Sequence, residues 1–259
     1  PDIRIEEHAD GVVWITIDRE AKHNALARRV LVALAQAVAG AGTRPGTRLL
    51  LLRGAGERFF AAGGDLVELA EVRDEAATQA MAEHARAALD AVRHCPVPVL
   101  AYLNGDAIGG GAELALACDL RLQAAHARTG YVQARLAISS AWGGGPDLCQ
   151  TVGGARAMRM MARGEMVGAE QALDWGLADA VITDGAVMDE IEAYGGVVRA
   201  IEDGWIQMRL AERGLERKLD TDVGRTVVVG QNHFKKENEE IRVGEVFTLD
   251  PTVAQRVQE

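Results

Sequence analysis

Aromatic residues are scarce in this 259-residue chain: four Phe, four Trp and three Tyr make up 4% of it. Its core must therefore come from Ala, Val and Leu, and an apolar fraction of 48% suffices for one large domain or two smaller ones. Cysteine is scarce too. Cys95, Cys118 and Cys149 show neither metal-site spacing nor a disulfide framework, so no metal is expected and a reducing, cytoplasmic setting fits. Cys118 lies in an apolar helical run and is expected in the core. No apolar run is long enough to span a membrane, and no secretory leader is legible. The chain begins PDIRIEE and stops at AQRVQE within a helical pattern, so both ends are expected to be cut ends. Positive charge is also short. With 28 Lys and Arg against 38 Asp and Glu, the formal net charge is −10, which argues against nucleic acid and anionic membranes as partners.

What is present alternates between strand and helix patterns, the mark of an α/β architecture. Ile3–Glu7 and Val12–Asp18 alternate as strands around an Asp10-Gly11 turn. Leu26–Ala41 reads as a helix ending near Gly42, Leu49–Arg53 as a buried strand, and Asp65–Arg93 as mostly helical with one break. Val97–Leu103 is a strand, followed by a helix from about Gly111 to Ala117 and a short strand at Arg121–Gln123. No internal repeat is legible.

Residues 104–119, NGDAIGGGAELALACD, are the most informative stretch. Gly109, Gly110 and Gly111 separate a strand from an apolar helix with one carboxylate, Glu113, in its first turn. Such a turn presents free backbone N–H groups and a positive dipole end, and glycine lets a ligand approach the backbone closely. It can hold an oxygen that becomes anionic during reaction. The plainer alternative is tight strand–helix packing. A second small-residue turn, Ala61 to Gly64 in FFAAGGDL, also precedes a helix, and two such turns are what a two-donor oxyanion hole requires. Glu113, inside an apolar helix, is costly to ionise; its pKa is expected to rise, which suits a proton donor at neutral pH. The alternative role for Glu113 is a carboxylate stabilising the helix dipole.

These stretches, with IDREAKHNAL (17–26) and GEMVGAEQALDWGLADAVI (164–182), resemble the crotonase, or enoyl-CoA hydratase/isomerase, superfamily over about residues 3–184. The resemblance implies a spiral of ββα turns, a bound acyl-CoA thioester, no cofactor beyond the CoA of the substrate, and a homo-oligomer, trimer or hexamer. It also implies catalytic roles for Glu113 and for the amides of Ala62 and Gly110. Ala25, Gly63, Gly64, Asp65, Gly109, Tyr131, Gln133, Trp142 and Gly143 are then expected to bind substrate. Lys22 and His23 are candidates for the polyanionic CoA, with a solvated basic turn as the alternative. Asp119 is expected to be structural, and Arg135 to be structural or at the surface.

The chain departs from the hydratase pattern at residues 131–144, YVQARLAISSAWGG, where Gln133 stands in place of a second glutamate. Glutamine cannot act as a base. Tyr131, Val132, this non-acidic position and Ala141-Trp142-Gly143-Gly144 resemble the ethylmalonyl/methylmalonyl-CoA decarboxylases. Decarboxylation needs no base at carbon, only a held enolate and a proton donor. Trp142 would wall an apolar pocket for an α-alkyl group, or else serve as a core aromatic. Decarboxylation is thus the leading expectation. The alternatives are an enoyl-CoA hydratase or isomerase working with Glu113 alone, and a non-catalytic CoA-binding or assembly module. Two domains are expected, 1–185 and 186–259. In the second, AYGGVVRAIEDGW, RTVVVGQNHF and the closing EVFTLDPTVAQRVQE resemble the segment after the barrel of methylmalonyl-CoA mutase. No cobalamin-binding Asp-x-His-x-x-Gly motif accompanies it, so this segment is expected to act as a helical cap or interface, and His233 to bind no cofactor.

Overall fold

The computed structural model describes residues 2–8, 11–72 and 74–182; the expectations for 186–259 lie outside these. A hairpin opens the fold, β1 (Ile3–Glu7) against β2 (Val12–Ile17), antiparallel with Ile5 opposite Ile15. Helix α1 (Arg28–Gly42) follows, burying Val30, Leu31, Leu34 and Val38 at helical spacing. From there the chain repeats one step. A long strand is laid in the first sheet, a three-residue strand in a second sheet, and a helix follows.

The long strands are β3 (Leu49–Gly54), β5 (Val99–Leu103) and β7 (Leu120–Ala124), parallel and adjacent. The short ones are β4 (Phe59–Ala61), β6 (Asp106–Ile108) and β8 (Arg128–Gly130), also parallel. The helices are α2 (Leu66–Glu71) with α3 (Glu75–Arg93), then α4 (Gly110–Ala117), then α5 (Gly144–Val152) with α6 (Gly154–Arg163). Strand β9 (Met166–Gly168), helix α7 (Ala169–Trp175) and β10 (Ala180–Ile182) complete the described chain. The first sheet runs β1-β2-β3-β5-β7-β10 and the second β4-β6-β8-β9. This is the expected α/β spiral of ββα turns.

The expected long elements are present with boundaries shifted by a few residues, and the break in Asp65–Arg93 falls between α2 and α3, where Asp74 caps α3 by accepting the Ala77 N–H at 2.8 Å. The second sheet is a feature that sequence reading missed, because three-residue strands carry too little alternation to register. Cys118 is buried as expected, and burial pushes its thiol up to about 12. Among the described residues, no helix is long and apolar enough to cross a membrane.

Two buried asparagines hold the connections between the sheets. Asn104 accepts the Gly54 N–H at 3.0 Å and donates to the Gly54 and Gly56 carbonyls at 2.9 and 2.5 Å. Asn24 donates to Ala55 and Phe59 carbonyls at 2.9 and 2.7 Å. Backbone groups that leave the first sheet for the second would otherwise be buried without partners. Asp119 is likewise structural, accepting the Val99 N–H at 2.8 Å.

Candidate active site

The two small-residue turns meet. A Cβ built on Gly63 would lie 3.3 Å from the Gly110 nitrogen, and one built on Gly111 would fall inside the contact distance of the Ala61 carbonyl. Only glycine permits this close approach of α4 to β4. Beside the junction lies a cavity of about 460 Å³. Ala62, Gly63, Gly64 and Asp65 line it from the first turn, Gly109, Gly110 and Glu113 from the second, and Gln133 and Trp142 from the segment after β8. Leu26, Leu31, Leu69, Met81, Leu136 and Ile138 make the rest of it predominantly apolar.

One expectation is corrected. The Ala62 N–H donates to the His23 carbonyl at 3.1 Å, so it is committed to the backbone and is not free to bind a ligand oxygen. The neighbouring Gly64 amide is different. Leu26 pairs with Gly64 as a parallel bridge, through the Leu26 N–H to the Gly63 carbonyl at 2.7 Å, a pattern that leaves the Gly64 N–H unused. Gly110 opens α4, where the N–H of the first turn has no intrahelical acceptor.

Glu113 is 1% exposed, on the first turn of α4. Its Oε1 accepts from Gln133 Nε2 at 2.8 Å, and its Oε2 accepts from the Ser140 hydroxyl at 2.7 Å and the Gly144 N–H at 2.9 Å. Burial pushes its carboxyl up; these donors pull it down, and burial wins, so it stays above the ordinary glutamate value. The result is a fixed, buried carboxyl that can hold or release a proton beside the glycine turn.

The other acidic residues on the cavity have structural duties. Asp65 pairs with Arg19 at 3.2 Å and caps α2 through the Val67 N–H at 3.1 Å. Burial pushes the Asp65 carboxyl up, but the Val67 amide and Arg19 hold it below the usual carboxylate range. Glu68 accepts the Arg28 N–H at 2.8 Å, satisfying the open end of α1.

Not every expected site residue reaches the cavity. Tyr131 is fully buried behind it, its hydroxyl donating to the Gly144 carbonyl at 2.8 Å, and burial pushes its phenol well up. It supports the turn that holds Glu113. Gly143 takes φ +91° to start α5 and does not line the cavity. Lys22 and His23 are exposed outside it, with the His23 ring tilted against Phe59 at 4.6 Å between centroids. Ala25 also lies outside, its carbonyl accepting from Arg19 at 2.5 Å. Ser140 is the site residue that sequence reading missed. It stands 27 positions from Glu113, and no short motif links the two.

The model of the Enoyl-CoA hydratase/isomerase family matches residues 7–240. The chain belongs to that family. It is 31% identical over 229 residues to a putative enoyl-CoA hydratase/isomerase of Bacillus subtilis, covering 88% of this chain and 86% of that one. A crotonyl-CoA hydratase of Syntrophomonas wolfei is 27% identical, over 89% of this chain and 87% of the relative. Among solved structures, an enoyl-CoA hydratase/carnithine racemase from Magnetospirillum magneticum superposes with a TM-score of 0.73 at 27% identity, covering 89% of this chain and 85% of that one. Enoyl-CoA hydratase from Bacillus anthracis gives 0.70 at 26% identity, covering 90% and 100%. The family match continues past the boundary expected near residue 185 and includes residues read there as mutase-like. This enoyl-CoA hydratase/isomerase family member thus shares its family with enzymes that process acyl-CoA thioesters.

Proposed function

We propose that this protein catalyses an enoyl-CoA hydratase/isomerase reaction with Glu113 as its single acid–base group. The observation that carries the reading is the Glu113 carboxyl itself: buried, raised in pKa, and set in the first turn of the helix that Gly110 opens. In this reading the thioester oxygen accepts from the Gly64 and Gly110 amides. Glu113 takes a proton from the carbon next to the thioester, and the electron pair moves onto that oxygen as an enolate. In a 3-enoyl thioester the enolate is conjugated, and Glu113 returns the proton two carbons further along, giving the 2-enoyl isomer. One carboxyl suffices, because the same group takes and gives one proton. In hydration Glu113 would both activate the water and deliver its proton, with the Gln133 side-chain oxygen orienting the water.

Gln133 supports a second reading, decarboxylation of an α-alkylmalonyl-CoA, since carbon dioxide departs without a base and only the protonation step needs Glu113. The family relatives are named hydratases and isomerases, which ranks this reading second. Separate incubation with a 3-enoyl-CoA, crotonyl-CoA and ethylmalonyl-CoA tests both, with mass reporting hydration or loss of carbon dioxide and chromatography reporting the isomerisation, which leaves the mass unchanged. Isomerisation or hydration supports the first. Carbon dioxide release alone would move the assignment to the second, and no conversion of any would leave a thioester-binding module.

A further inference from the structure

One side chain of the cavity lining, Trp142, stands against both Gly64 and Gly110. A Cβ built on Gly64 would stand 3.3 Å from Trp142 Cζ2 and 3.7 Å from Cη2, and one built on Gly110 would stand 2.5 Å from Cη2 and 2.7 Å from Cε3. The six-membered edge of the indole therefore lies across both glycines at once. It is 8% exposed and packs in the main core cluster. The chain on either side of it is pinned: Ser140 and the Gly144 N–H both donate to Glu113, and the Gly144 carbonyl accepts from Tyr131. A ring anchored this way has little freedom to swing aside.

We propose that the Trp142 indole selects thioesters unbranched at the α-carbon, by filling the space an α-substituent would need. The inference rests on the proposed function, in which the thioester oxygen sits at the Gly64 and Gly110 amides. An oxygen held about 2.9 Å from each nitrogen brings the carbonyl carbon, and the α-carbon about 1.5 Å beyond it, over the glycine faces. Those faces are already in contact with the indole edge. A hydrogen on the α-carbon fits there, whereas a methyl meets aromatic carbon in a close-packed wall. Further along, the cavity is bounded by Leu26, Leu31, Leu69, Met81, Leu136 and Ile138, which leaves an apolar space for a chain extending from the β-carbon. In this reading Trp142 closes the α-position, where the sequence offered either the wall of an open alkyl pocket or a core aromatic.

The test is equilibrium binding of butyryl-CoA and isobutyryl-CoA, which are saturated and differ in branching at the α-carbon. The unmodified protein is expected to bind butyryl-CoA about ten- to a hundredfold more tightly, the range one methyl group commands in a shaped apolar pocket. Trp142→Ala should bring the two affinities within a few-fold by admitting isobutyryl-CoA. Trp142→Phe, which keeps an apolar aromatic and withdraws the outer ring edge, should narrow the ratio and carries the test if the alanine variant melts out. Equal affinities in the unmodified protein, or a ratio unchanged in a folded variant, would overturn the selection while leaving the proposed function standing. Failure of both thioesters to bind would overturn the two together.

Discussion

Gln133 donates its side-chain amide to the Glu113 carboxylate across 2.8 Å, joining positions 20 residues apart in the chain. An amide in this position orients Glu113 and stabilises its charged form, yet it cannot take a proton itself. In the proposed reading Glu113 is thus the acid–base carboxyl, held by donors that include Gln133, Ser140 and the Gly144 amide.

Removing that carboxyl is the most direct check. Glu113→Gln is expected to slow turnover of any accepted thioester about a hundred- to ten-thousandfold, the usual weight of a positioned acid–base group. Binding of butyryl-CoA should change by only a few-fold. Full activity in this variant would return Glu113 to a structural role.

The pH profile follows from the same carboxyl. Proton abstraction needs Glu113 ionised, and burial pushes its pKa above the ordinary glutamate value despite the donors. The acid limb of kcat/KM should therefore fall away at a higher pH than an ordinary glutamate would give. Ser140→Ala removes a donor that favours the charged form, so the limb should move further up while the KM changes little. A lower kcat with an unmoved limb would argue that Ser140 merely packs.

Gln133→Glu would place a second carboxyl beside the first. Two like charges at this distance cannot both ionise easily, so one pKa should rise strongly. A second acid–base group should also raise hydration of crotonyl-CoA relative to isomerisation of a 3-enoyl-CoA. The product ratio, read by mass and chromatography, decides; an unchanged ratio would mean Gln133 stands away from the reacting water.

The glycines at the junction should differ in tolerance. Gly111→Ala drives a methyl into the Ala61 carbonyl, which is backbone and cannot yield cheaply, so a loss of about 1–3 kcal/mol is expected. Gly110→Ala meets the Trp142 ring instead and should reduce activity more than stability. Gly64→Ala, 3.3 Å from the same ring, should be the mildest. Thermal melts and activity assays on the three give the order, and a reversed order would contradict the packing described.

Away from the site, Arg121 is 8% exposed and pairs with Asp179 at 2.9 Å, tying β7 to the segment after α7. Asp179→Ala leaves that guanidinium with carbonyl partners only, Leu177 and Cys118. The expected cost is about 3 kcal/mol in denaturant unfolding. A loss below about 1 kcal/mol would show that the two carbonyls suffice.

The sequence by itself determined the long elements, the family and the glycine turn on which the proposed chemistry rests. Each of these is local: apolar periodicity marks α1 and β3, and the run Gly109–Gly111 followed by Glu113 joins close backbone approach, a helix N-terminus and an acid within five residues. Tertiary structure alone decided which amides are free. Ala62 and Gly64 are both small and lie two residues apart, but the His23 carbonyl claims the first and the Leu26 bridge leaves the second. It alone placed Ser140 on Glu113, moved Tyr131 behind the site, and left Lys22 and His23 outside the cavity. It also set the Trp142 ring against Gly64 and Gly110, which are separated by 46 positions in the chain. The physical reason is common to all of these. A residue's type states which bonds and contacts it is able to make, while its partners are chosen by the path of the chain between two sheets, which no local pattern contains.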